Sequence, residues 1–89
     1  MNRNLTFTPT AWQEYLEWQI TDKKTANRIN LLIKDIQRSP FEGLGKPEAL
    51  KENLSGYWSR QISKKHRIVY QVTNDNLKII QVENHYDDK

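Results

Sequence analysis

NLSGYWSRQISKKHRIVY, residues 53–70, reads as a strand, a polar turn and a second strand. Residues 57–62 are aromatic and β-compatible, Ser63-Lys64-Lys65 breaks the run, and residues 66–72 resume it. Successive side chains of a strand point to opposite faces, so Ile68, Tyr70 and Val72 share one face and Arg67, Val69 and Gln71 the other. The first face is apolar enough to be core, whereas the second carries an arginine. A third run, residues 77–84, follows the turn Thr73-Asn74-Asp75-Asn76. Alternation there puts Ile80 and Val82 on the core face and Gln81, Glu83 and His85 on the opposite one. If the two core faces coincide, Arg67 and His85 emerge together on a polar, cationic surface built on rigid strands.

Upstream, residues 4–8 alternate Leu5 and Phe7 with polar neighbours, a short strand signal. Thr8-Pro9 has the form of a helix start, with Thr as N-cap and Pro in the first turn. Trp12, Tyr15, Leu16 and Gln19 then form one helical stripe, with Trp18 to its side. Thr21-Asp22 offers a fresh N-cap, so a second helix is expected to begin there. Ile29, Leu32, Ile33 and Ile36 give it the clearest apolar stripe in the chain, surrounded by Lys23, Lys24, Arg28, Lys34 and Arg38. Ser39-Pro40 ends it. The short join implies an antiparallel helix pair covering one face of a small, mainly antiparallel sheet, an α+β fold. The basic helix face is either a solvated face or a phosphate contact. Residues 41–52 form a Gly/Pro-punctuated loop whose Gly43 and Gly45 follow no strand and open no GK[ST] helix, so a phosphate-binding loop does not fit.

With 89 residues the chain is expected to be one domain, residues 1–89, with a modest core. Cysteine is absent, which excludes a disulfide framework and any thiolate metal site. No apolar run approaches the roughly 20 residues that span a bilayer, and the N-terminus has no signal-peptide core, so a cytoplasmic protein without membrane contact is expected. The net charge of +3 suits a polyanionic partner, nucleic acid above all.

His66 and His85 are the only histidines and cannot by themselves make a zinc site, so neither metal nor cofactor is expected. No serine sits in a nucleophile elbow. Acid–base chemistry from a carboxylate, a histidine and an arginine remains, and those three types suffice to cleave RNA. A base takes the 2′-OH proton, the arginine stabilises the phosphorane, and an acid protonates the departing 5′-oxygen. Glu48, Arg67 and His85 are the candidates, but each has an ordinary reading beside the chemical one: solvated loop carboxylate, surface salt bridge, exposed histidine. Tyr86 can simply pack on the sheet edge. Lys46, Lys51 and Arg60 serve equally as phosphate contacts or solubilising charges. Residue by residue, the reading reaches a nucleic-acid surface with acid–base potential and stops short of an enzyme.

YLEWQITDKK, INLLIKDIQRSPFEGLGKPEALKENLSGYWSRQI, HRIVYQVT and the HY pair His85-Tyr86 together resemble the YoeB family of bacterial toxins, over nearly the whole chain. That resemblance implies a RelE-like, microbial-ribonuclease-like fold and a ribosome-dependent endoribonuclease cutting messenger RNA in the ribosomal A site. It implies Glu48 as general base, Arg67 on the scissile phosphate, His85 as general acid and Tyr86 as an aid to substrate placement. Lys46 and Lys51 fall on basic loop positions facing the RNA backbone, with Arg60 a further candidate contact. The implied partners are the ribosome, messenger RNA, a YefM-type antitoxin and a second copy in a homodimer. Two positions depart from the family pattern: Gln61 stands where a second arginine follows WSR, and Asp87-Asp88-Lys89 extends past the usual terminal His-Tyr. The alternative reading is a non-catalytic RNA- or ribosome-binding module, or an inactive toxin homologue.

Overall fold

The computed structural model describes residues 3–82. Its elements are β1 (Asn4–Phe7), α1 (Pro9–Thr21), α2 (Lys23–Arg38), β2 (Glu48–Ala49), β3 (Tyr57–Gln61), β4 (Arg67–Val72) and β5 (Asn76–Gln81), with a single 3-10 turn at Glu52–Leu54. None of its helices is long and apolar enough to cross a membrane.

The helix boundaries follow from local chemistry. The N–H of Ala11 donates to Thr8 Oγ1 at 3.0 Å, and Pro9 occupies the first turn. Asp22 ends α1 by donating its own N–H to the Trp18 carbonyl, and starts α2 by accepting the Thr25 N–H at 3.1 Å. One residue thus serves both ends, and the chain reverses at once. The Tyr15 hydroxyl donates to Asn30 Oδ1 at 2.8 Å, joining positions nearly equidistant from the reversal, as an antiparallel pair requires.

Helix α2 buries Ala26, Ile29, Leu32, Ile33 and Ile36, the expected stripe extended by one turn. Helix α1 differs from expectation. Ala11 is its buried residue, Tyr15 and Trp18 pack against the core, and Trp12 and Leu16 remain exposed. Apolar residues surround this helix, so spacing alone does not choose a face. Trp18 turns inward because its indole N–H donates to the Val82 carbonyl at 3.0 Å. Trp12 instead joins Phe7 and Tyr15 in an aromatic cluster, with ring centroids 5.3 and 5.6 Å from its own.

The strands form one sheet in the order β1-β5-β4-β3-β2, with β1 parallel to β5 and the other pairs antiparallel. Two helices on one face of a mostly antiparallel sheet make the α+β architecture expected. Ile62, Ile68, Tyr70, Leu77, Ile79 and Val82 face the helices and complete the core. Each apolar side chain removed from water there contributes about 1.5–3 kcal/mol.

Pairing corrects the reading of the third run. Val69 pairs with Gln81 but Tyr70 pairs with Ile79, so Ile80 is an extra residue on β5. This bulge shifts the alternation: Leu77, Ile79 and Val82 are fully buried, whereas Ile80 is half-exposed. Gln81 keeps its expected place on the far face.

Candidate active site

Residues directly opposite each other in a sheet share a face. Glu48 stands opposite Ser59, Ser59 opposite Val69, and Val69 opposite Gln81. These four form a row across β2 to β5 on the side away from the helices, because Ile68 and Tyr70 point the other way into the core. Arg67, paired with Gln61, lies two residues along β4 from Val69 on the same face. On this face Nη1 of Arg67 lies 3.8 Å from Oε1 of Glu48. The arginine side chain retains 26% of its exposure and the glutamate 61%. At this distance the contact is an ion pair without a direct hydrogen bond, and an exposed pair of that kind is worth about 0–1 kcal/mol. Separating these two groups from each other therefore costs little. Ser59, between Glu48 and Val69 in the register, is fully buried, and its hydroxyl has no hydrogen-bond partner among the described residues.

Glu48 was expected on a loop; it sits on a two-residue strand instead. The approach to that strand is held from within the protein by Arg60. Rather than reaching phosphate, Arg60 is fully buried on the helix side of β3, a correction to its reading as a substrate contact. Its Nε donates to the Tyr70 hydroxyl at 3.2 Å, and Nη1 to Asp35 Oδ2 at 2.6 Å and the Leu44 carbonyl at 2.9 Å. Nη2 donates to the carbonyls of Ser39 and Glu42 at 2.6 and 3.0 Å. All five guanidinium N–H donors have acceptors in this arrangement. The Tyr70 hydroxyl in turn donates a hydrogen bond to the Pro40 carbonyl at 2.7 Å, and burial pushes its pKa up, so it stays a donor. The hydrogen bond from Arg60, then that from the Leu44 N–H, holds the Asp35 carboxyl down at about 2 against the opposing effect of burial.

The loop from the end of α2 to β2 is therefore fastened to one buried guanidinium. Its glycines follow from that. Gly43 has φ +125° and lies so near Asp35 that a Cβ would overlap the carboxylate. Gly45 has φ +80°, and its carbonyl accepts the Gln61 N–H at 2.7 Å, bringing the loop backbone against β3.

A profile describing the YoeB-like toxin of bacterial type II toxin–antitoxin systems matches residues 7–86. The chain belongs to that toxin family. It is 55% identical over 82 residues to Toxin YoeB of Escherichia coli K12, covering 92% of this chain and 98% of the relative. The YoeB dimer from Staphylococcus aureus superposes with a TM-score of 0.89 at 46% identity, over 97% of this chain and 100% of that one. The YoeB–YefM complex from Staphylococcus aureus gives 0.87 at 45% identity, with the same two coverages.

Among the YoeB-family positions named from sequence, Glu48 and Arg67 are brought together on one face. Lys46 and Lys51 flank Glu48 along the chain and are both exposed, Lys46 with φ +53°. His85 and Tyr86 lie outside the described residues. Sequence reasoning missed Ser59, whose place in the row follows only from the pairing of β2 with β3. It also missed Glu14 and Trp18, which hold the end of β5.

Proposed function

We propose that this chain is an endoribonuclease that cuts messenger RNA in the ribosomal A site and so stops translation. The observation that carries the reading is the placement of Glu48 and Arg67, 3.8 Å apart, on the sheet face away from the helices. Glu48 takes the proton of the substrate 2′-OH, and the freed 2′-oxygen attacks the adjacent phosphorus. Arg67 leaves its loose contact with Glu48 to stabilise the charge gathering on the phosphorane oxygens. The bond from phosphorus to the 5′-oxygen breaks, His85 supplies that oxygen's proton, and Tyr86 helps place the substrate. The products are a 2′,3′-cyclic phosphate and a 5′-hydroxyl. Because the RNA brings its own nucleophile, no metal-activated water is required. Lys46 and Lys51 contact the backbone on either side of the base. Family membership and the Staphylococcus aureus YoeB–YefM complex support a YefM-type antitoxin as the silencing partner, presenting an acidic and apolar segment to the cationic face.

Primer extension on a message translated in an extract dosed with the protein tests this. New 5′ ends within codons, abolished by a 2′-deoxy nucleotide at the cut site, are the expected result. Stalled but intact message would make the protein a ribosome binder, and cutting at the deoxy position would mean another chemistry.

A further inference from the structure

Among the described residues two buried side-chain polar atoms lack a hydrogen-bond partner, Gln19 Nε2 on α1 and Ser59 Oγ on β3. Leaving a buried hydroxyl unpaired costs stability that an alanine of nearly the same shape would not lose. Ser59 lies on the sheet face that carries Glu48 and Arg67, with no exposure to water. Its direct cross-strand neighbours are Glu48 on β2 and Val69 on β4. The valine side chain has nothing to accept a hydrogen bond. The glutamate carboxylate can accept one from a hydroxyl directly opposite, where Cβ atoms lie about 4.5–5.5 Å apart. Glu48 instead reaches diagonally toward Arg67, which stands opposite Gln61, two residues along β3 from Ser59. That ion pair is loose, at 3.8 Å, so little holds the carboxylate in this position.

We propose that Ser59 is a positioning residue for the base: when Arg67 turns to the substrate phosphate, the Ser59 hydroxyl donates to the Glu48 carboxylate and holds it for the 2′-OH proton. The proposal rests on the ribonuclease reading of the site. Glu48 exchanges one partner for the other, and its second carboxylate oxygen remains to take the proton. Ser59 keeps its own proton throughout, and no covalent bond to it forms or breaks. A hydroxyl without an acceptor in the free protein gains one only in the reacting complex. Its hydrogen bond therefore favours the transition state over the ground state.

Single-turnover cleavage on programmed ribosomes, with ribosome binding measured beside it, tests the proposal. Ser59→Ala should cut about 10–10²-fold more slowly, the scale of a small misplacement, and bind ribosomes as tightly as wild type. Its urea midpoint should equal or exceed the wild-type one, because the hydroxyl removed has no partner in the free protein. Ser59→Thr keeps the hydroxyl and should restore the rate. In a Glu48→Ala background Ser59→Ala should slow cutting no further, because it acts only through that carboxylate. A full rate in Ser59→Ala, an undiminished effect without Glu48, or a loss of rate that a lowered urea midpoint accounts for would each overturn the proposal. NMR of the Glu48 carboxyl carbon in the free protein gives a readout that needs no cleavage. In the Arg67→Ala protein, whose carboxylate has lost its ion pair, Ser59→Ala should move that signal clearly. With Arg67 present it should move the signal little. Equal movement in the two backgrounds, or none in either, overturns the proposal whatever the activity, whereas a wild-type protein that cuts no message refutes the ribonuclease reading alone. If Ser59→Thr overpacks the buried position and does not fold, the Glu48→Ala background and the NMR comparison decide.

Discussion

Arg67 reaches Glu48 across an intervening strand: Nη1 and Oε1 are 3.8 Å apart although β4 and β2 are each paired with β3 and not with one another. The pair is half open to water, so it adds little to stability and can separate when a phosphate arrives. Glu48→Ala should lower message cleavage by about 10²–10⁴-fold, as loss of a general base does. Arg67→Ala should lower it by about 10²–10³-fold, as loss of a transition-state donor does. Both should leave folding stability within about 1 kcal/mol of wild type. Single-turnover cleavage on programmed ribosomes, beside urea denaturation, measures the two effects separately. A variant with full activity removes its residue from the mechanism.

Arg60 behaves oppositely. Removing the buried guanidinium takes the charged partner from Asp35 Oδ2, leaving Asp35 with exposed Arg38 on Oδ1 and the Leu44 N–H, and strands the carbonyls of Ser39, Glu42 and Leu44. Arg60→Met is therefore expected to cost about 3–5 kcal/mol in urea denaturation. Arg60→Lys should recover little of it, because an ammonium offers three donors on a compact head where five are used. A stable Arg60→Met protein with weakened RNA binding would return this residue to the substrate face.

These contrasts show what was legible in the sequence. Thr8 and Asp22 as caps, the Ile29-to-Ile36 stripe, and the opposed faces of β4 are local patterns, and local patterns survive folding. The Ile80 bulge belongs to the pairing of two strands, so alternation along one of them misplaces it. Arg60 displays its charge in the sequence, but the convergence of distant carbonyls that justifies burying it does not appear there. Glu48 was found through family resemblance rather than through its surroundings, because the two-residue strand that carries it exists only by pairing with β3.

Asp35 supplies a pH dependence. Its carboxyl is held at about 2 in the folded protein, below the ordinary value of 3.8. A depressed carboxylate contributes stability that is fully present above the unfolded value and is lost as pH falls through the folded one. Urea midpoints should therefore fall in acid across the window from about 4 to about 2, with Asp35 among the causes. Asp35→Asn should be less stable at neutral pH and show a shallower acid slope over that window. A slope identical to wild type would mean that other carboxylates govern the acid limb.

Gly45 tests whether the loop's closeness to β3 delivers Glu48. A Cβ on Gly45 would sit 2.9 Å from the Gln61 carbonyl oxygen and 3.0 Å from Leu32 Cδ2, at φ +80°. Gly56 also has positive φ, +93°, but a Cβ there meets nothing within 4 Å. Gly56→Ala should therefore cost only the backbone penalty of about 1–2 kcal/mol. Gly45→Ala should add about 1–3 kcal/mol of overpacking, since neither the carbonyl nor the buried leucine can move far. The activity difference should be sharper. Glu48 is three residues beyond Gly45, and its register with Ser59 depends on the same approach to β3 that the Gln61 hydrogen bond fixes. Shifting that backbone by about 1 Å is expected to lower cleavage about 10²-fold, whereas Gly56→Ala should cleave at nearly the wild-type rate. Equal losses in the two variants, in urea denaturation and in cleavage, would show that backbone conformation alone matters and that loop contact with β3 does not place the base.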